Sequence, residues 1–181
     1  MRQRRLLIPK ERVAPAIGSD GEVKDRIEDE TEVELEFDSE SGEVLIKGKD
    51  EKPLGVMTAH DVVKAIGRGF SPEKAFDLFD QEIYLNVTDI TSYTGNSKKA
   101  KERMKGRIIG KDGKTRELIE EYTGCSVSIY GKTVSCIGPP KKVEIVREAV
   151  DMLLDGLPHS AVYNFLEEKK KELDKPLKLW K

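Results

Sequence analysis

Apolar and acidic residues alternate without a break through Thr31–Phe37, with Val33, Leu35 and Phe37 on one side and Glu32, Glu34 and Glu36 on the other. A period of two predicts a half-buried strand. After an Asp38–Gly42 loop, Glu43–Lys47 reads as a second strand with Val44 and Ile46 inward. Ahead of them, Arg2–Ile8 reads as a short strand closed by Pro9. A helical stretch on Val13, Ala16 and Ile17 follows and ends at Gly18-Ser19-Asp20-Gly21. Val23 and Ile27 then mark a short helix to about Glu30. Leu54–Ile66 and Phe70–Phe79, the latter opening at Ser71-Pro72, carry helical spacing.

The order strand, helix, Gly-x-x-Gly, helix, strand, strand, helix then repeats. Strand Glu82–Asp89 leads to a basic helix Ser97–Ile109, the loop Gly110-Lys111-Asp112-Gly113, helix Lys114–Thr123, and strands Cys125–Tyr130 and Lys132–Ile137. A long helix, Pro139–Leu154, follows on Val143, Val146, Val150 and Leu154. Ile17, Gly18, Asp20, Gly21, Ile27, Glu28 and Thr31 recur 92 residues later as Ile109, Gly110, Asp112, Gly113, Ile119, Glu120 and Thr123. The offset falls to 90 at Val134 and Gly138 and to 86 at Pro158, Ala161 and Phe165. Such drift is expected of a tandem duplication with loop-length changes. The pattern therefore predicts an α+β chain of two domains, residues 1–81 and 82–181. Each is a three-stranded sheet packed on helices, with an additional C-terminal helix. In the second, Val162, Phe165, Leu166, Lys169 and Leu173 form its apolar stripe, and the final Leu177-Lys178-Leu179-Trp180-Lys181 reads as a contact point.

If Tyr130-Gly131 makes a two-residue hairpin turn, Ile129 opposes Lys132 and Cys125 faces Cys136. In a reducing compartment both are expected as buried thiols, with a cross-strand disulfide the alternative in a hyperthermophile. No apolar run is long enough for a membrane span, and Arg2-Gln3-Arg4-Arg5 precedes too short an apolar stretch for a signal peptide, so a cytoplasmic protein is expected. His60 and His159 stand apart from any ligand-spaced partner, and no nucleophile–base pair is visible. Neither metal, cofactor nor catalysis is expected.

Charge separates the two copies. Residues 1–82 hold 13 basic and 20 acidic side chains, whereas residues 83–181 hold 19 basic and 14 acidic. Asp20–Glu43 carries twelve acids against Lys24 and Arg26, while Ser97–Arg116 carries nine cations against Glu102 and Asp112. Two glycines three apart let a turn adopt positive φ and let another backbone come close. The helix that opens at the second glycine points unpaired N–H groups into that gap. With Lys111, Lys114 and Arg116 around it, the second loop suits a phosphodiester backbone. The first, Gly18, Ser19, Asp20 and Gly21 followed by Glu22, meets phosphate with repulsion and is expected to be degenerate in RNA binding.

The run Gly106-Arg107-Ile108-Ile109-Gly110-Lys111-Asp112-Gly113-Lys114, continuing to Ile119 and Thr123-Gly124-Cys125-Ser126-Val127-Ser128-Ile129, resembles the K-homology (KH) signature. That resemblance implies type I KH modules (βααββα) gripping about four single-stranded nucleotides across the loop. The expected contacts are Arg103, Gly106, Arg107, Ile109, Gly110, Lys111, Asp112, Gly113, Lys114, Arg116, Val127 and Ile129. The groove floor would come from Ile108 or Ile109, Ile119, Val127 and Ile129. Asp112 departs from the small residue common in the family. The tandem arrangement and the Val162-Tyr163-Asn164-Phe165-Leu166 tail resemble the Dim-two, or partner-of-Nob-one, family of small-subunit ribosome biogenesis factors in its archaeal form. This implies binding to the 3′ region of small-subunit rRNA and cooperation with the 3′-end endonuclease; a monomer is expected. The alternatives are an RNA-capture subunit of an RNA-degrading complex and a protein–protein scaffold using both modules.

Overall fold

The computed structural model describes residues 2–176; the terminal stretch 177–181, read above as a contact point, lies outside them. The chain divides into two compact units between Asn86 and Val87. The first runs β1 (Arg2–Leu7), a 3-10 turn at Lys10–Arg12, α1 (Val13–Ile17), a second 3-10 turn at Ser19–Gly21, α2 (Glu22–Thr31), β2 (Val33–Phe37), β3 (Glu43–Gly48), α3 (Pro53–Gly67) and α4 (Pro72–Ala75), which passes into a last 3-10 turn at Phe76–Phe79.

Its strands form one antiparallel sheet in the order β1-β3-β2. Pairing of Leu35 with Ile46 and of Phe37 with Val44 puts the alternating apolar positions on the helix side, where Leu35, Val44 and Ile46 are fully buried. Glu32, Glu34 and Glu36 remain exposed. The strand starts at Val33, later than the alternation predicts, because the two preceding residues finish α2. Thr31 donates its hydroxyl to the Ile27 carbonyl at 2.6 Å, and Glu32 takes left-handed φ 54 as the C-cap.

The division falls within β4 (Tyr84–Asp89), whose sheet is that of the second unit; the chain goes on to α5 (Thr91–Thr94), α6 (Lys98–Ile109), a 3-10 turn at Lys111–Gly113, α7 (Lys114–Thr123), β5 (Ser126–Tyr130), β6 (Thr133–Gly138), α8 (Pro140–Leu154) and α9 (His159–Leu173). The second unit's sheet order, β4-β6-β5, repeats that of the first. Ile108, Ile119, Ala149, Leu153, Val162 and Leu166 form the centre of its core. Each large aliphatic side chain so buried contributes about 1.5–3 kcal/mol. The pattern did not reveal α5, which is too short to show a period. Its start is fixed instead by the Asp89 carboxylate, which accepts from the Thr91 N–H at 2.8 Å and the Thr91 hydroxyl at 2.6 Å.

Individual hydrogen bonds recur at the 92-residue offset. The Leu35 N–H donates to Glu28 at 2.6 Å and the Val127 N–H to Glu120 at 2.8 Å. Thr123 repeats the bond of Thr31, donating to Ile119 at 2.6 Å. The two Gly-x-x-Gly loops have the same backbone. Gly110 has φ 75 and ψ 173 against 77 and 174 at Gly18, and Gly113 has φ 75 and ψ 9 against 82 and 8 at Gly21. Asp112 and Asp20 both occupy the left-handed region, at φ 54 and 53. Asp tolerates that region better than most residues, which accounts for its presence in each loop.

The second hairpin corrects one expectation. Ile129 pairs with Val134 and Tyr130 with Thr133, so the two turn residues are Gly131 and Lys132. A turn of this length takes positive φ at its first residue, and Gly131 (φ 56) supplies it at no steric cost where Tyr130 would not. Cys136 therefore faces Val127, and Cys125 does not oppose it. Cys125 lies instead against Gly138, where an added Cβ would come to 2.4 Å from its Sγ. Both cysteines are free and buried. Burial raises the pKa of the Cys125 thiol and pushes that of Cys136 up to about 12.

Two outcomes follow from this geometry. At pH 8 a thiol with the Cys136 pKa is ionised about once in ten thousand molecules. Burial covers both thiols and raises both pKa values, so a small alkylating reagent should leave both cysteines unmodified in the native protein and label both in denaturant, as counted by intact mass. Gly110 and Gly113 share the same φ, yet a Cβ on Gly110 would meet Thr115 Oγ1 at 2.1 Å while one on Gly113 meets nothing within 4 Å. Gly113→Ala should cost about 1 kcal/mol for the left-handed backbone alone, and Gly110→Ala at least about twice as much, measured by urea unfolding.

Candidate nucleic-acid interface

The candidate interface is the elbow between α6 and α7. The Gly110 N–H closes α6 by donating to the Gly106 carbonyl at 2.9 Å, and the Gly113 N–H returns to Gly110 at 3.2 Å. No side chain caps α7 at Gly113. The Lys114 N–H returns to the Lys111 carbonyl, so the anion-holding capacity of this end lies in the helix dipole and the N–H groups that follow Lys114. Lys111 and Lys114 are exposed on either side of the turn, with Asp112 exposed between them and Arg116 half-buried one turn on.

The corresponding residues of the first loop are Ser19 for Lys111, Glu22 for Lys114 and Lys24 for Arg116. Lys24 faces Glu28 at 3.9 Å, and the Arg26 guanidinium lies 4.4 Å from the centre of the Phe76 ring. Other cations of the first unit are matched in the same way: Arg5 with Glu43 at 3.2 Å, Lys47 with Glu36, and Lys52 with Glu32. The Lys52 hydrogen bond lowers the Glu32 pKa, and the Glu36 hydrogen bond raises that of Lys47. Among the described residues, Lys111, Lys114 and Arg116 have no such partner. The same backbone thus carries exposed acids and a paired lysine in one copy and unpaired cations in the other.

The remaining expected site residues divide by burial. Arg103 is exposed on α6, and Gly106 leaves an opening on that helix, since a Cβ there would meet nothing within 4 Å. Of the two isoleucines that spacing could not separate, Ile108 is fully buried in the core and Ile109 is half-buried beside the loop. Ile119 and Val127 also belong to the core, at 0% and 2% exposure. That leaves Ile109 and Ile129, both partly exposed, as the apolar residues able to meet a base.

Arg107 is built into the fold. Its Nε donates to the Leu153 carbonyl at 3.1 Å and its Nη2 to that of Leu157 at 2.6 Å, satisfying the C-terminal end of α8. The Arg107 carbonyl in turn accepts from His159 at 2.9 Å, which requires the imidazole proton on Nε2. Thr115, 1% exposed directly beneath Gly110, shares a 2.8 Å hydrogen bond with the Tyr163 hydroxyl on α9. These ties make α9 part of the elbow. Sequence reasoning did not find them, although one signal was present: the polar Thr115 stands where the first copy has Val23. Among the described residues no group of three His, Cys, Asp or Glu could hold a metal ion, and no helix is long and apolar enough to cross a membrane.

Comparison with known proteins agrees with this geometry. A family model described as a eukaryotic-type KH domain (KH-domain type I), representing the second such domain of PNO1, matches residues 84–171. A KH domain-containing protein of Methanocaldococcus jannaschii is 46% identical over 179 residues, spanning 97% of this chain and 78% of that protein. The crystal structure of Dim2p from Pyrococcus horikoshii superposes with a TM-score of 0.85 at 45% identity, covering 93% of this chain and 99% of that one. A crystal structure of the a/eIF2alpha–aDim2p–rRNA complex from the same organism gives a TM-score of 0.88 at 46% identity, over 94% of this chain and 95% of that one. The chain belongs to the Dim2/PNO1 family of KH-domain proteins.

Proposed function

We propose that the protein is a single-stranded RNA-binding factor of small-subunit rRNA processing and ribosome assembly, holding RNA through the second of two tandem type I KH domains, residues 1–81 and 82–181. One observation carries the reading: of two loops with the same backbone, only the second is ringed by cations without partners. The Pyrococcus relative crystallised with rRNA supports the choice of RNA class. In this reading Gly110 and Gly113 admit the phosphodiester backbone, and Lys111, Lys114 and Arg116 balance its charge. Ile109 and Ile129 line the path of the bases. Asp112 is there for the backbone conformation, and Arg107 holds the helices that present the loop.

The first domain keeps the loop but not the charge, and its RNA grip is weak or absent. The 3′ region of small-subunit rRNA is the proposed target, the 3′-end endonuclease a proposed partner, and the protein a cytoplasmic monomer with no catalysis of its own.

Lys111→Asp should weaken binding of a short single-stranded RNA at least about tenfold, because it replaces an attraction by a repulsion at one phosphate. Ser19→Asp in the first loop should change it less than about twofold. Fluorescence anisotropy on the two variants decides the division of labour, and equal losses overturn it. Three or four phosphate contacts on a single strand also predict a log–log salt slope of about −2 to −3 for an RNA of about four nucleotides. A slope near zero would exclude a phosphate-weighted grip.

A further inference from the structure

The two units differ most in what leads into the loop. Ten residues separate the end of β1 at Leu7 from Gly18, whereas twenty separate the end of β4 at Asp89 from Gly110. The added length forms α5, a turn at Gly95, and the first turns of α6, which is twelve residues long where α1 has five. The Ser97 hydroxyl caps this helix by accepting from the Ala100 N–H at 3.2 Å.

The first turns of α6 contain Lys98, Lys99, Lys101, Arg103 and Lys105 against a single acid, Glu102. Lys105 lies 3.7 Å from Glu102; Lys98, Lys99, Lys101 and Arg103 have no ion-pair partner among the described residues. Lysines in the first turn of a helix oppose its dipole, and no acid is present there to offset them. Nor does helix packing explain Gly106, which lowers helix propensity by about 1 kcal/mol relative to Ala while the space for a Cβ stands open. Lys99, Arg103, Gly106 and Gly110 follow one another at i, i+4, i+7 and i+11, so they share one line along the helix. That line covers about 16 Å and ends at the loop. No side chain at position 106 interrupts it.

We infer that the exposed face of α6, from Lys98 to Gly106, is a second contact surface for the same RNA: a track for the phosphates of single strand continuing beyond the nucleotides held at the loop. The inference rests on the RNA-binding reading of the loop and extends the footprint that reading assigns. Charge complementarity and continuity with the loop select this occupant. The unfavourable dipole placement of the lysines is what an external polyanion would offset.

The test compares two single-stranded RNAs, one of about four nucleotides and one of about twelve, for the full chain and for Lys98→Gln/Lys99→Gln, the two exposed lysines at the far end of the track. Gln matches Lys in helix propensity, so α6 should be retained, and circular dichroism checks it. Lengthening the RNA should raise the affinity of the unmodified chain by about tenfold at low salt. It should also steepen the log–log salt slope by about 2, as three further phosphate contacts require. The double variant should lose most of both gains while binding the short RNA within about twofold of the unmodified chain. A double variant that keeps the gains overturns the track, as does an unmodified chain that holds the short RNA but gains nothing from the longer one. Failure to bind either RNA would instead overturn the reading of the loop, and the track with it.

Discussion

The second unit depends on the contact between the backbone of Gly110 and the side chain of Thr115. An atom at the Cβ position of residue 110 would lie 2.1 Å from Thr115 Oγ1, so the chain touches down on α7 with no space to spare. Thr115 is held from below by the Tyr163 hydroxyl. Arg107, three residues before Gly110, ties the end of α8 to α6, and its own carbonyl receives His159. Loop position, the end of α8 and the start of α9 are therefore set by one set of bonds. A buried hydroxyl deprived of its partner costs about 1–3 kcal/mol, which is why Thr115 and Tyr163 are coupled choices. The first unit solves the same contact with Val23, whose Cγ2 would lie 2.6 Å from a Cβ on Gly18, and needs no polar tie.

This difference bears on how the two copies have diverged. Their backbones agree at the loop to within a few degrees in φ at the first glycine, and the Glu28 and Glu120 bonds to the following strand are the same bond. Steric exclusion at the glycines leaves little room for change there. Charge on the rim is under no such constraint, and there the copies part company, with Glu22 where the second unit has Lys114.

Much of the architecture was legible because its signals are periodic or local. Alternation through Val33, Leu35 and Phe37 gave a strand, and the paired glycines gave the elbow. The 92-residue recurrence gave the relation between the copies. What was not legible depended on which of two adjacent residues turns inward, or on partners far along the chain. Ile108 and Ile109 differ in burial through the angle at which α6 meets the core, which no local pattern encodes. The hairpin register turned on whether the turn begins at Tyr130 or Gly131, and a one-residue slip moves the facing partner of Cys136. Arg107 looked like one more cation in a basic helix. Only the carbonyls of Leu153 and Leu157, 46 and 50 residues away, distinguish it from Arg103.

The opposite charge of the two halves also governs how molecules of this protein meet one another. A chain with an acid excess before residue 83 and a base excess after it attracts its own kind in dilute buffer, acidic half to basic half. Added electrolyte screens that attraction over about 10 Å at 0.1 M. The free protein is thus most soluble where its hold on a polyanion is weakest. On the function proposed above, nucleic acid lying over the basic half would leave a predominantly negative remainder outward, and occupied molecules would repel. Occupancy itself would then keep the particles apart.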